Sequence, residues 1–270
     1  GDRRLTLLES IRAFAADKLA ELPAASTSAR HHARHFARLG TPGALEGLRT
    51  HGGPRRLRTL IQERDNIAVA QHNASKLGEH EVAACCALAT AAICTHVGPL
   101  PVAADALEHC LSNGGLSARR RLDLKLALAA VLARVRRIET ATTLCEDAIQ
   151  TATRLGLHVQ LGHAHAGLGH LRSLQGDPAA ARAHAETALG IFQQAGAAAA
   201  EATILRDLGV NHMAQGDFTS ARAHLTAALT LHQQLGDRRA EGRTMANLGL
   251  LSRHCGDFSE AEKRYKVALH

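Results

Sequence analysis

Leu208-Gly209-Val210-Asn211-His212-Met213-Ala214-Gln215-Gly216-Asp217-Phe218 decides the fold of this chain, because its spine is written three times at one spacing. Forty residues earlier stand Leu168-Gly169 and Gly176-Asp177; forty later stand Leu248-Gly249 and Gly256-Asp257-Phe258. Without a gap, residues 161–200 and 201–240 share 15 of 40 positions, and 201–230 and 241–270 share 9 of 30. The shared set includes Ala221 and Ala261 under Ala181, and Ala228-Leu229 and Ala268-Leu269 under Ala188-Leu189. A fixed period of this length is the signature of stacked supersecondary units.

Each recurring residue has a task in a helix–turn–helix unit. The Leu-Gly pair falls midway through a first helix, where a missing side chain costs about 1 kcal/mol of propensity but lets a second helix lie close. Gly-Asp is the turn: glycine takes the left-handed conformation that ends one helix, and aspartate accepts from the free amides of the next. Asp257 and Glu260 have the spacing of a capping box. Ala221, Leu225, Ala228 and Leu229 make one apolar stripe on the second helix, and Gly196 and Gly236 close it. The register runs backwards into weaker copies. Residues 121–160 keep Leu128, Ala141, Ala148-Ile149 and Gly156, with Arg136-Arg137 in place of the Gly-Asp turn, and 81–118 keep Leu88, Gly98, Ala103 and Leu111 if two extra residues are allowed before Gly98. Five helix pairs are expected, over 81–120, 121–160, 161–200, 201–240 and 241–270.

Composition agrees. Apolar residues are 46% of the 270 but aromatics only 2%, so the core must be built from Ala, Leu, Ile and Val, which suits helix-on-helix packing. No apolar run approaches the roughly 18 residues of a membrane span and no leader is apparent, which predicts a cytoplasmic chain without a membrane partner. The six cysteines, Cys85, Cys86, Cys94, Cys110, Cys145 and Cys255, lie on Ala/Leu-rich stretches and are expected to be buried free thiols. The net charge of +7 is partly clustered at Arg55, Arg56 and Arg58 and at Arg119, Arg120 and Arg121. Groove-reading or stacking aromatics are missing beside these clusters, which speaks against direct nucleic-acid binding.

The repeats resemble the tetratricopeptide family in a 40-residue form similar to kinesin light chain repeats, as in Met245-Ala246-Asn247-Leu248-Gly249 followed by Gly256-Asp257-Phe258. The family's bulky aromatic early in the first helix is absent; His165, Leu205 and Thr244 are read at its place. The resemblance implies an all-α solenoid, a right-handed superhelix of antiparallel helix pairs, with a concave groove lined by first helices. Carried over by position, the groove consists of His163, Ala166, Gly167 and His170; then Thr203, Arg206, Asp207 and Val210; then Arg243, Ala246, Asn247, Leu250 and Arg253. Asn247 matches the asparagine that in the family often bonds a peptide backbone. The implied partner is a protein or peptide in this groove, or other domains of the same chain.

The first 80 residues fall outside the period. Leu5, Leu8, Ile11, Ala15 and Leu19 mark a helix that Pro23 breaks; a second helix is expected over 27–39, a loop over 41–54 and a third helix over 55–77. The segments Arg4-Leu5-Thr6-Leu7-Leu8-Glu9-Ser10-Ile11-Arg12-Ala13-Phe14-Ala15, Ala29-Arg30-His31-His32-Ala33-Arg34-His35-Phe36 and Glu63-Arg64-Asp65-Asn66-Ile67 resemble the junction of bacterial STAND-class regulatory ATPases. There it joins a nucleotide-binding module and winged helix to a C-terminal repeat sensor. Residues 1–25 would be the tail of a winged-helix-like region and 26–80 a helical linker, making this chain a sensor or scaffold arm. The alternative is a part that dimerises or positions a DNA-binding regulator.

Catalytic signatures are absent: no phosphate-binding loop, no Gly-x-Ser-x-Gly and no distinctive carboxylate pair is written, so neither an enzyme nor a cofactor is expected. Among 18 histidines, His31 and His35 have chelating i, i+4 spacing, and His80-Glu81 begins like a zinc-protease helix but has Ala84 where the second histidine belongs. No metal is expected. His184 and His224 share a repeat position and are read as structural. The last pair has no capping helix after it, which predicts further repeats downstream, partial exposure among Leu248, Leu251, Ala261, Tyr265 and Ala268, and self-association through that face.

Overall fold

The computed structural model describes Phe14, Lys18 and residues 25–268. The expected N-terminal helix on Leu5, Leu8, Ile11, Ala15 and Leu19, and its break at Pro23, lie outside the described residues. Among the described residues there are 14 α-helices and no strand, arranged as a right-handed solenoid.

Ten helices form the array: α5 (His80–Val97) with α6 (Leu100–Ser112), α7 (Ala118–Arg134) with α8 (Ile138–Leu155), α9 (His158–Leu174) with α10 (Pro178–Gln194), α11 (Ala198–Ala214) with α12 (Phe218–Leu235), and α13 (Arg238–His254) with α14 (Phe258–Ala268). Before them come α1 (Ala25–Ala37), α2 (Pro42–Glu46), α3 (Gly53–Gln62) and α4 (Arg64–Lys76), with 3-10 turns at Arg38–Gly40 and Gly47–Arg49.

The second-helix stripe forms the core of each pair. Ala221, Leu225 and Ala228 are buried, as are Ala181, Ala185 and Ala188 one repeat earlier. Gly209 is the close approach that the stripe requires: a Cβ there would lie 2.6 Å from Leu225 Cγ. The turns follow the expected chemistry. Gly176, Gly216 and Gly256 are left-handed, and Asp177, Asp217 and Asp257 each accept the amide three residues on at 3.0 Å. The capping box at Asp257 forms only half: the Glu260 amide donates to Asp257, but the Glu260 carboxylate pairs with Arg264 Nε at 2.8 Å.

The weak repeat keeps the turn geometry without the residues for it. Arg136 holds φ +65°, and Arg137 stands at the next N-cap with no side-chain cap bond. A left-handed non-glycine residue costs about 1–2 kcal/mol and a missing cap about 1 kcal/mol. Arg136→Gly with Arg137→Asp should therefore raise the urea midpoint by the equivalent of about 2–3 kcal/mol. The Arg137–Glu108 pair it removes is exposed and 3.6 Å long, and offsets little. An unchanged midpoint would mean that this turn is relaxed as it stands.

Several expectations are corrected. The helix expected over 55–77 is two, because the chain turns at Glu63 (φ −91°, ψ 6°), whose carboxylate accepts from Asn66 Nδ2 at 2.5 Å. The loop over 41–54 contains α2 and a 3-10 turn, since Pro42 stands in the first turn after an extended Thr41. Met245, not Thr244, occupies the place forty residues after Leu205; Thr244 is buried and bonds back to the Ala240 carbonyl at 2.8 Å. Five cysteines are buried but Cys255 is exposed. Burial pushes the thiols of Cys86 and Cys145 up to about 12, which leaves them protonated and unreactive at neutral pH.

Helix α5 is apolar over its 18 residues, with mean hydropathy 1.3, long and apolar enough to cross a membrane by length and composition alone. It is apolar all round because α1, α4, α6 and α7 pack about it, burying ten of its side chains. At the other end of the array Leu248, Leu251 and Ala261 are buried, while Tyr265 and Ala268 are partly open.

Candidate functional site: the concave face and the strap across it

The array curves towards its first helices: α5 meets α7, α7 meets α9 and α11 meets α13, whereas contact of that extent joins no two second helices among the described residues. The first helices therefore line the concavity, as the repeat positions require.

That concavity is occupied by the chain itself. Residues 38–53 form a strap across it. At one end Gly40 lies on the backbone of α5, where a Cβ would fall 1.7 Å from the Cys85 carbonyl oxygen. Pro42 then faces Ser117, Arg119, Arg120 and Asp123 of the α7 N-terminus across a cavity of about 220 Å³. At the far end the His51 ring covers Gly236, between α12 and α13, at 2.3 Å from where a Cβ would stand. The strap is braced from α3: Arg56 donates to the Gly47 carbonyl at 2.7 Å, to Thr50 Oγ1 at 2.8 Å and to the His51 carbonyl.

The wall beneath the near end is a polar network. Glu81 accepts from the Ser117 amide at 2.7 Å and from Arg120 Nε at 3.1 Å, and Gln160 donates to Asp123 at 3.2 Å. Burial raises the Glu81 pKa, but the Ser117 and Arg120 bonds outweigh it and hold the carboxyl below its usual range. Glu81 is thus engaged structurally. His31 and His35 are both exposed, and no group of three metal-ligating side chains occurs among the described residues.

Of the groove residues read from the repeat, the structure brings Arg206, Asp207 and Arg243 together. Arg206, 12% exposed, donates Nε and Nη2 to Asp207 Oδ1 at 3.2 and 2.7 Å. Arg243 is open to the groove and has no ion-pair or hydrogen-bond partner among the described residues. Its field is shared with Arg206, Asp207, Arg239 and the strap's Arg49; desolvation first, then Arg206, lowers its pKa. His163 rests on Phe192, ring centroids 5.0 Å apart, exposed at its rim yet deep in the concavity. Desolvation and then Arg49 push it down to about 4. Asn247, Val210 and Leu250 are half-buried on the wall; Thr203 turns back to the Ala199 carbonyl at 3.0 Å. His170 and Arg253 are exposed near the far ends of α9 and α13, away from this cluster.

Sequence reasoning missed Arg49, His51 and His232. The signal for His232 was present: it continues the stripe Ala221, Leu225, Ala228, at the place where earlier copies have Ala152 and Phe192. It is 1% exposed, and neither ring nitrogen has a hydrogen-bond partner. The paired histidines fit their structural reading: His184 Nδ1 meets His165 Nδ1 at 3.2 Å, and His224 stacks on His212 at 5.1 Å.

The tetratricopeptide repeat family model matches residues 121–194 and 200–269, more than half of the chain. The chain belongs to that family, whose repeats are protein-interaction scaffolds. No curated relative matches its sequence. Among solved structures it is similar to a Rap protein complexed with competence and sporulation factor, at 14% identity and TM-score 0.68, covering 97% of this chain and 76% of that one. It is similar to BtubC (BKLC) from P. vanneervenii at 19% identity and TM-score 0.54, covering 94% and 89%. It is also similar to the STAND signal-transduction ATPase with a tetratricopeptide repeat sensor from Pyrococcus horikoshii, at 14% identity and TM-score 0.60, spanning 98% of this chain and 40% of that protein. At these identities the likeness is one of fold.

Proposed function

We propose that this chain is a non-catalytic binding module whose concave face takes a peptide or an extended segment of a partner, and that it serves as the sensor or autoregulatory arm of a larger STAND-type regulator in the cytoplasm. The observation that carries the reading is the strap: a segment of short helical turns already lies where a groove ligand would lie, so the face accepts backbone and side chains of a polypeptide. The Rap likeness supports it, since that protein is complexed with competence and sporulation factor, and the STAND likeness supports the sensor role. In this reading residues 1–25 belong to an upstream winged-helix-like region, 26–80 are the junction that supplies the strap, and 81–270 are the sensor. The alternative, a part that positions a DNA-binding domain, has no comparable feature in its favour.

Random-peptide display against the chain tests it. Enriched peptides should bind the parent at least tenfold more tightly than a folded Arg206→Ala/Asn247→Ala variant. Because Arg206 and Arg243 line the wall, the enriched peptides should be acidic and should weaken as salt rises, with screening over about 8 Å at physiological ionic strength. Peptides that bind parent and variant alike would remove the groove from the proposal, and salt-indifferent binding would remove its electrostatic part.

A further inference from the structure

The strap does more than cover the groove: it brings a fourth guanidinium to a wall that already has an excess of them. His51 on Gly236 fixes the strap beside the α12–α13 turn, and Arg49 stands two residues before it. Within electrostatic reach of His232 and Arg243 there are Arg49, Arg206 and Arg239 against two carboxylates, Asp207 and Asp237. Both carboxylates are already used, Asp207 by Arg206 at 2.7 Å and Asp237 as the cap of α13, accepting the Ala240 amide at 3.0 Å. Two positive charges are left over. Arg49 and Arg243 have no hydrogen-bonding or ion-pair partner among the described residues. One turn before Gly236, His232 is 1% exposed with both ring nitrogens unpartnered. A buried polar side chain without a partner is costly, and its presence calls for a reason.

We propose that Arg49 on the strap and Arg206 and Arg243 on the wall, with His232 beneath them, form a site for a doubly charged oxyanion, a phosphate group. Its charge at neutral pH, about −1.5 to −2, approaches the excess of the cluster, and guanidinium forks suit its oxygens. The site is completed only when the strap is seated, so the anion bonds strap to array. The phosphate could arrive free or on a peptide that enters the groove beside the seated strap without displacing it; the second route rests on the function proposed above, the first does not.

The probes are inorganic phosphate and a phosphoserine peptide with its unphosphorylated twin, titrated into the full chain at constant ionic strength. Melting temperature and calorimetry are the readouts. Inorganic phosphate should raise the melting temperature saturably above a chloride control, and affinity should fall at least tenfold in Arg49→Leu and in Arg243→Leu. Arg58→Leu, an exposed arginine on α3, should bind as the parent does, and circular dichroism would certify each variant as folded. Discrimination of at least tenfold for the phosphoserine peptide, lost in the same two variants, would show that the phosphate comes on a peptide. If phosphate acts no differently from chloride and the peptide pair binds alike, the oxyanion site is overturned while peptide binding stands. Equal phosphate affinity in all four proteins, the mark of an adventitious ion only, would overturn it too.

Discussion

Gly40→Ala should release the strap while leaving the array folded. A Cβ at residue 40 would stand 1.7 Å from the Cys85 carbonyl oxygen and 2.6 Å from its carbon, so backbone must move, and no change of rotamer relieves it. Overpacking of this severity costs about 3 kcal/mol, roughly a hundredfold in a local equilibrium. The strap's Leu39, Leu45 and Leu48 pack only partly buried against the cluster that holds Leu107, Leu124 and Leu132, whereas Leu208 and Leu225 are fully buried in clusters that no strap residue joins, so the array keeps a core of its own. Opening the strap is therefore the easier response. Tryptic cleavage after Arg49, Arg55 and Arg56 should accelerate at least tenfold, with helical circular dichroism unchanged. Phosphate affinity should fall because Arg49 is withdrawn, whereas a groove ligand that competes with the strap should bind more tightly. Cleavage at the parental rate would mean that the strap is not held at Gly40.

The difference between what the sequence disclosed and what it hid follows from contact distance along the chain. The Gly-Asp turns, the Leu-Gly approach and the Ala221-Leu225-Ala228 stripe are local patterns repeated at period 40, and each recurrence confirms the others. Positions 206, 207 and 243 could likewise be placed on the wall by register alone. The strap could not, since its anchors join Gly40 to Cys85 and His51 to Gly236, across 45 and 185 residues with no pattern between them. Pro42, Gly43, Gly52, Gly53 and Pro54 read as a loop where the chain forms α2, a 3-10 turn and the start of α3, and composition does not say where such a segment is docked. His232 was hidden for another reason. In the preceding copy Phe192 fills the space left by Gly162, where a Cβ would come within 2.6 Å of its ring; the next copy has Ala202 and His232 at these places. A smaller ring opposite a larger partner is a packing exchange, and only the buried, unbonded nitrogens reveal its polar consequence.

Mild acid should destabilise this protein through its histidines. His32, His163, His165, His184 and His232 all have pKa values lowered in the folded state, each by burial first, and His163 is brought to about 4. Asp237 pulls His232 back up, but Arg206, Arg49 and Arg243 add to its depression. Below about pH 6.5 the unfolded chain therefore takes up protons that the folded chain refuses. Stability is fully present above that value and falls as pH drops towards the folded pKa values, by at most about 1.4 kcal/mol per pH unit for each histidine. Those still in contact with solvent, His163 among them, contribute only a fraction of this limit. The depressed carboxylates Glu79, Glu81 and Asp217 act in the other part of the scale, losing their contribution only below about pH 4.5, so the interval from 6.5 to 5 belongs to the histidines. Between pH 7.5 and pH 5 the melting temperature should fall by about 5 °C or more, as expected for roughly 2 kcal/mol in a chain of this size. His232→Leu should flatten the dependence and raise stability at pH 5, because the replacement has no nitrogen to protonate or to leave unbonded. A melting temperature that does not change across this interval, or the same slope in His232→Leu as in the parent, would show that His232 finds a partner for its proton in the folded chain.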